Sequence, residues 1–237
     1  MEMPRLDYRI PQVVIAPLQG DDAKEIYEKV PKALRVNTIY DEKSKAVIGS
    51  TNLLAVGIDD VVEGFGLRAL TLADLSLPDV MDYVRGKHYT DARALAIRSL
   101  RDSYNSNNDA LLKRIYELAE EKQGSISAPF MIDGFSYVPN DSANYSVEIV
   151  TKPDFRVVQD ERLDGKYNGQ KFNDVDELGL PLFDRGGSRT WYAKNEGLSR
   201  LGLASDLNLY STWYYLSYSD EDGRVVVLKP AKPVRKK

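Results

Sequence analysis

The sequence predicts an α+β protein, on three observations. Residues 1–124 mix short apolar runs with segments whose apolar residues recur every three to four positions. Residues 125–228 alternate apolar and polar positions between turns rich in glycine, proline and asparagine, and no long helical period reappears after Gly124. Segregation of the two periods along a chain of 237 residues points to α+β rather than to alternating βαβ units. The expected parts are a mixed α/β region with a helical hairpin at 1–124, a mainly antiparallel β domain at 125–228, and a basic Pro/Lys tail at 229–237.

In order along the chain, residues 13–16 form an apolar run between Pro11 and Pro17 and read as a strand. After Gly20, Asp22 and Glu25 have capping-box spacing and open a helix to about Val30. Residues 36–40 and 46–58 read as extended, with a turn between them, so a hairpin or meander is expected. Ser76 and Pro78 signal a helix start for 80–84, and Gly86 its end. Thr90 then caps a helix carrying Ala94, Ile97, Leu100 and Tyr104 on one face and Arg93, Arg98 and Arg101 on others. A further helix follows Asn107, Asn108 and Asp109, with Leu111, Leu112, Ile115, Leu118 and Ala119 as its apolar stripe and Gly124 as its stop. Those last two helices make the expected αα-hairpin.

In the second half, Asp133-Gly134 and Asp222-Gly223 each separate two apolar runs, the pattern of a type I′ hairpin turn. Extended segments are also expected at 145–150, 155–159, 189–193, 198–203 and 207–210, whereas 160–187 reads as a long charged loop. Loops of that length usually bind something or are disordered, which makes it the first place to look for a site.

Composition excludes much chemistry. The chain has no cysteine and one histidine, His88, so thiol nucleophiles, disulfides and Cys-ligated metals are absent. His88 lies in a short stretch between two expected helices, where a solvated or hydrogen-bonded histidine is the ordinary reading. The glycines at 57, 64 and 66 match neither a P-loop nor a dinucleotide fingerprint. A net charge of −4 argues against nucleic acid or an anionic membrane as the principal partner. Five basic residues from Lys229 onward leave about −9 on the rest. Neither a signal peptide nor an apolar run of membrane-spanning length is seen, and a cytoplasmic location is expected.

Two groups of residues are candidates. Hard cations such as Ca²⁺ or Mg²⁺ bind in oxygen-rich surroundings, and Asp164, Asp174, Asp176 and Glu177 supply them within an acidic stretch that also holds Asp160, Glu161 and Asp184. The stretch fails as an EF-hand, because Lys166 and Val175 stand at the third and twelfth positions counted from Asp164. Interleaved Arg156, Arg162, Lys166 and Lys171 equally suit a solvated, ion-paired loop, and no cofactor is required. The second group is aromatic: Trp191, Trp213, Tyr214, Tyr215 and Tyr218. Adjacent Tyr214 and Tyr215 on an extended backbone would point to opposite faces, so one of them should be exposed and available to a partner. The favoured reading is a non-enzymatic interaction or assembly protein that binds a protein partner or itself through these aromatics. Its rival is a carboxylate-dependent hydrolase of sugar or phosphodiester substrates, with acids of 160–184 converging in one cleft.

Overall fold

A computed structural model describes residues 14–229; tail positions 230–237 lie outside the described residues. In chain order the elements are β1 (Val14–Pro17), α1 (Asp21–Lys29), β2 (Ile39–Asp41), β3 (Ala46–Ile48), α2 (Asn52–Val62), β4 (Arg68–Ala69), α3 (Pro78–Val84), β5 (Thr90–Ile97), α4 (Asp109–Gln123), β6 (Phe130–Pro139), β7 (Val147–Gln159), β8 (Lys171–Val175), β9 (Pro181–Phe183), β10 (Arg189–Ala193), β11 (Leu198–Leu203), β12 (Leu209–Trp213) and β13 (Val226–Lys229). Among the described residues, four helices with mixed sheets make this an α+β fold, the class expected.

The principal sheet has eight strands in the order β7-β6-β5-β11-β12-β10-β8-β9, a second has the order β1-β13-β4, and β2 pairs with β3 as the expected hairpin. Its pairings are antiparallel except that of β10 with β12. Strand β5, from the first half of the chain, lies between β6 and β11, and β13, from the second half, lies between β1 and β4. The expected cut between residues 124 and 125 therefore passes through both sheets, and one buried cluster draws on both sides of it. Lys229 belongs to β13, opposite Val14, rather than to a solvated tail.

Several local expectations are corrected. Residues 90–97 are a strand, so no αα-hairpin forms. Ala92, Ala94 and Ala96 pack into one cluster while Leu95 and Ile97 pack into the other. A strand buried on both faces has apolar residues at every spacing, three and four included, and so imitates a helix. Within 46–58 only β3 is extended; Thr51 Oγ1 accepts the Leu54 N–H at 3.0 Å and caps α2. Nine of the eleven α2 residues are buried, which removes the polar face by which a helix shows itself in sequence. By contrast α4 is amphipathic, its five stripe residues are buried as expected, and Gly124 ends it at φ +82°.

Neither Asp-Gly pair makes a hairpin. Asp133-Gly134 lies within β6 at a bulge against β7, where Gly134 has φ +73° and a Cβ would overlap the Asp154 backbone. Gly223 closes a turn onto Asp220 O, but 214–218 is not a strand and β13 leaves for the other sheet. The stretch 160–187 is not a bare loop either: it holds two 3₁₀ turns, at Glu161–Leu163 and Gly165–Tyr167, and the β8–β9 pair.

The principal sheet is packed on both faces. One face of β5, β6 and β7 meets α2 and α4. The opposite face, with Ala94, Trp191, Leu201 and Leu209, packs with Val80 and Val84 of α3 and Val226 and Leu228 of β13. Further along the first face, on β11, β12 and β10, stand four planar groups.

Candidate functional site

These groups are Arg200, Trp213, Tyr210 and Tyr192. Arg200 stands opposite Leu95 of β5, a residue of the cluster under α2, and so points to that face. Between the pairs Arg200↔Trp213 and Gly202↔Tyr210, β12 carries one residue more than β11, a bulge that brings Tyr210 and Trp213 to the same face. Parallel pairing then sets Tyr192 beside Tyr210. The tyrosine rings stack at 4.6 Å, Tyr210 stacks on Trp213 at 5.3 Å and 10°, and the Arg200 guanidinium closes the row 4.7 Å from the indole. Glycine is required at 202, because a Cβ there would overlap the Trp213 ring. Arg200 is buried, and its Nη1 donates to both Asp91 carboxylate oxygens and to Ser50 O at 2.9–3.1 Å.

After Trp213 the chain leaves the sheet. Tyr214 O accepts from Asn105 Nδ2 at 3.3 Å and Asn108 Nδ2 at 2.9 Å, which ties this loop to the segment before α4. Asn37 Nδ2 donates to Ser217 O at 2.8 Å and ties in the segment before β2. Because the backbone is no longer a strand, the Tyr214 and Tyr215 rings do not point apart: they meet at 4.5 Å, and Tyr214 also meets Tyr104 at 5.6 Å. Eight large hydrophobic side chains are exposed among the described residues, and six of them, Val36, Ile39, Leu100, Tyr104, Tyr215 and Tyr218, belong to these three tied segments. Six of the eight thus stand on segments that hydrogen bonds join to the 214–218 loop.

Beneath the tyrosines lies Lys194, 9% exposed, with Nζ 3.9 Å from the Tyr104 ring centroid and 4.5 Å from that of Tyr214. The ammonium has no hydrogen-bond partner among the described residues. Burial pushes its pKa down to about 8, with nearby Arg98 adding to the effect against the pull of Asp102 and Glu196. A lysine whose pKa is lowered by folding binds fewer protons in the folded than in the unfolded chain between about pH 8 and its ordinary value near 10.5, so stability rises with pH over that window. Chemical denaturation at pH 8 and pH 10 should show that rise in the wild type and a smaller one in Lys194→Met. Equal slopes in the two proteins would refute this assignment.

Of the aromatic candidates, Trp191 is fully buried, with its indole N–H donating to Arg162 O at 3.0 Å, so it is core and not surface. Trp213 and Tyr214 are half-buried, and Tyr215 and Tyr218 are exposed. The acidic candidates do not converge. Asp164 accepts the Lys166 N–H as the cap of a 3₁₀ turn. Asp176 pairs with Arg162 at 2.6 Å and accepts the N–H groups of Leu178 and Leu180. Asp174 and Glu177 are exposed, and no group of three or more acids or histidines among the described residues is placed to hold a metal ion. Arg162 also pairs with Asp160 at 2.6 Å, so one arginine holds two acids of this stretch.

Carboxylates do meet elsewhere, at a cavity of about 540 Å³ lined by Asp59, Glu63, Asp154, Arg68, Arg93 and Lys152. Arg93 reaches Asp59, Asp133 and Asp154 at 2.5–3.2 Å, and Lys152 reaches Asp59 and Asp60. Burial works to raise the Asp59 pKa, but Lys152, Arg93 and the Ala69 N–H outweigh it and hold the carboxylate below its ordinary range. Held ionised in this way, Asp59 is unsuited to donating a proton as a general acid. Arg93 and Arg98, expected on helix faces away from an apolar stripe, are a half-buried residue of β5 and a buried residue just after it; Arg98 binds Leu163 O and the hydroxyls of Ser199 and Ser211. His88 lies on the wall of a second cavity with Arg200 and Trp213.

No protein-family model, no curated protein and no solved structure matches this chain. Among the described residues no helix is long and apolar enough to cross a membrane. The sequence singled out 213–218, but not Val36, Ile39, Leu100 or Tyr104, nor the stack on Arg200. Its sequence spacing puts Tyr104 on a helical stripe; the Asn105 and Asn108 contacts to Tyr214 O instead bring its segment to the 214–218 loop.

Proposed function

We propose that this protein is a non-catalytic interaction module that docks a protein partner, a second copy of the chain included, through the surface built by 36–39, 100–104 and 214–218. The observation that carries this reading is the gathering of six of the eight exposed large hydrophobic side chains into three segments tied by hydrogen bonds. Tyrosines suit such a surface, because they bury large area with few rotatable bonds. Half-buried Trp213 and its stack give the surface a rigid floor. Further support comes from the acids of 160–184, which serve as turn caps, ion-pair partners or dispersed surface groups rather than as a catalytic set.

The test is light scattering coupled to size exclusion across a concentration series, on the wild type and on Tyr215→Ser/Tyr218→Ser. The expected result is a concentration-dependent oligomer that the double substitution weakens on the order of tenfold or more, at unchanged helix and strand content. A strict monomer at every concentration would overturn self-association. An oligomer indifferent to the substitutions would overturn this surface as its seat.

A further inference from the structure

Trp213, Tyr210 and Tyr192 form an unbroken stack on the principal sheet: the indole lies 5.3 Å and 10° from the Tyr210 ring, and that ring lies 4.6 Å and 23° from Tyr192. In a chain without cysteine, indole and phenol are the side chains that most readily give up a single electron. Near-parallel rings at these separations have overlapping π-systems, so an electron crosses from one to the next without any movement of the backbone. Half-buried Trp213 lines the second cavity, of about 200 Å³, and meets a small oxidant there, whereas Trp191 is fully buried.

Oxidation of an indole or a phenol also releases a proton, so the electron vacancy settles where a proton acceptor stands beside the ring. The Tyr210 hydroxyl donates to Asp206 Oδ2 at 3.4 Å, and Asn208 Nδ2 donates to the same oxygen at 2.7 Å and fixes it there. Burial, with the Asp206 carboxylate adding to it, pushes the Tyr210 pKa up to about 12, so at neutral pH the phenol holds its proton until an electron leaves. Tyr192, on the other side of Tyr210, supplies a second π-face to the electron-poor ring. Tyr89 also meets the indole, edge-on at 5.5 Å and 70°, but its hydroxyl contacts Ser50 O, Ser219 Oγ and the Asp220 N–H rather than a carboxylate.

We propose that Trp213 and Tyr210 form a one-electron relay that moves oxidation from the indole to the phenol, with Asp206 as acceptor of the phenolic proton. A one-electron oxidant, for which the azidyl radical serves as probe, takes an electron from the Trp213 indole and leaves as azide, and the indole N–H proton goes to solvent. The indolyl radical then takes one electron from Tyr210 and one proton from solvent, which restores Trp213. Tyr210 passes its hydroxyl proton to Asp206 and becomes a phenoxyl radical. The relay makes no use of the 214–218 surface and is independent of whether that surface docks a protein.

Pulse radiolysis of the full chain in azide solution tests it. The expected result is an indolyl absorption that decays in a first-order phase as a phenoxyl absorption grows, at a rate independent of protein concentration. Trp213→Phe should lose the indolyl signal, since the other indole is fully buried. Tyr210→Phe and Asp206→Asn, the second at an exposed position, should each slow the conversion several-fold at unchanged circular dichroism, and Tyr89→Phe should leave it as in the wild type. A rate proportional to protein concentration, or a Tyr210→Phe variant that folds and converts as fast as the wild type, would overturn the relay. So would an indolyl signal that persists in Trp213→Phe, or a Tyr89→Phe variant slowed as much as Tyr210→Phe. An Asp206→Asn variant as fast as the wild type would overturn the role given to that carboxylate.

Discussion

Arg200→Met is expected to lower stability by about 3–5 kcal/mol, the usual consequence of stranding one partner of a buried ion pair. Asp91 is 3% exposed and its carboxylate is held by two oxygens on Arg200 Nη1 and by the Ser50 hydroxyl at 2.8 Å. With the guanidinium gone, Ser50 alone would face a buried charge. Adding Asp91→Asn to Arg200→Met removes that charge and should recover most of the loss, because methionine fills much of the space against Trp213. Denaturant midpoints of the single and double variants decide the matter. A double variant no more stable than Arg200→Met would show that stacking on the indole, rather than the stranded carboxylate, sets the cost.

Trp191→Ala should cost about 3–5 kcal/mol, since it empties a fully buried site and leaves Arg162 O without the indole donor. Trp191 packs in the cluster formed by Leu163, Phe172, Leu201 and Leu209, on the sheet face opposite the aromatic stack. Tyr215→Ser/Tyr218→Ser, at positions 47% and 54% exposed, should change stability by only about 0.5 kcal/mol per site while acting on association. Urea unfolding compares the two variants directly. Should Trp191→Ala prove as mild as the tyrosine pair, the indole would not be the core residue that its burial indicates.

Much of the fold was legible where a segment meets water on one side. The α4 stripe of Leu111, Leu112, Ile115, Leu118 and Ala119 announces itself through its amphipathic period and the β2–β3 hairpin through the turn between two extended runs, whereas α1 starts after Gly20 as expected but with Gly20 as its cap and no side-chain capping bond from Asp22. Segments buried on every side were misread. Strand β5 resembled a helix and α2 a strand, because full burial erases the polar half of the pattern that distinguishes a period of two from one of 3.6. The Asp133-Gly134 pair met the local requirement of a turn, positive φ at glycine, yet the ion pairs of Asp133 with Arg93 and Arg156 go with a bulge in a continuous strand.

The candidate site divides in the same way. The sequence by itself determined the absence of thiol chemistry, the presence of one histidine, the α+β class and an aromatic-rich stretch at 213–218. Only the tertiary structure decided that Trp191 is core, that the Tyr214 and Tyr215 rings meet, that the acids of 160–184 divide among turn caps, ion pairs and dispersed surface positions, and that Arg200 closes a stack across three strands. The reason is physical. Residue type sets what a side chain can do, whereas exposure, pairing and face depend on register and on a one-residue bulge between β11 and β12, features set by contacts between segments distant in the chain.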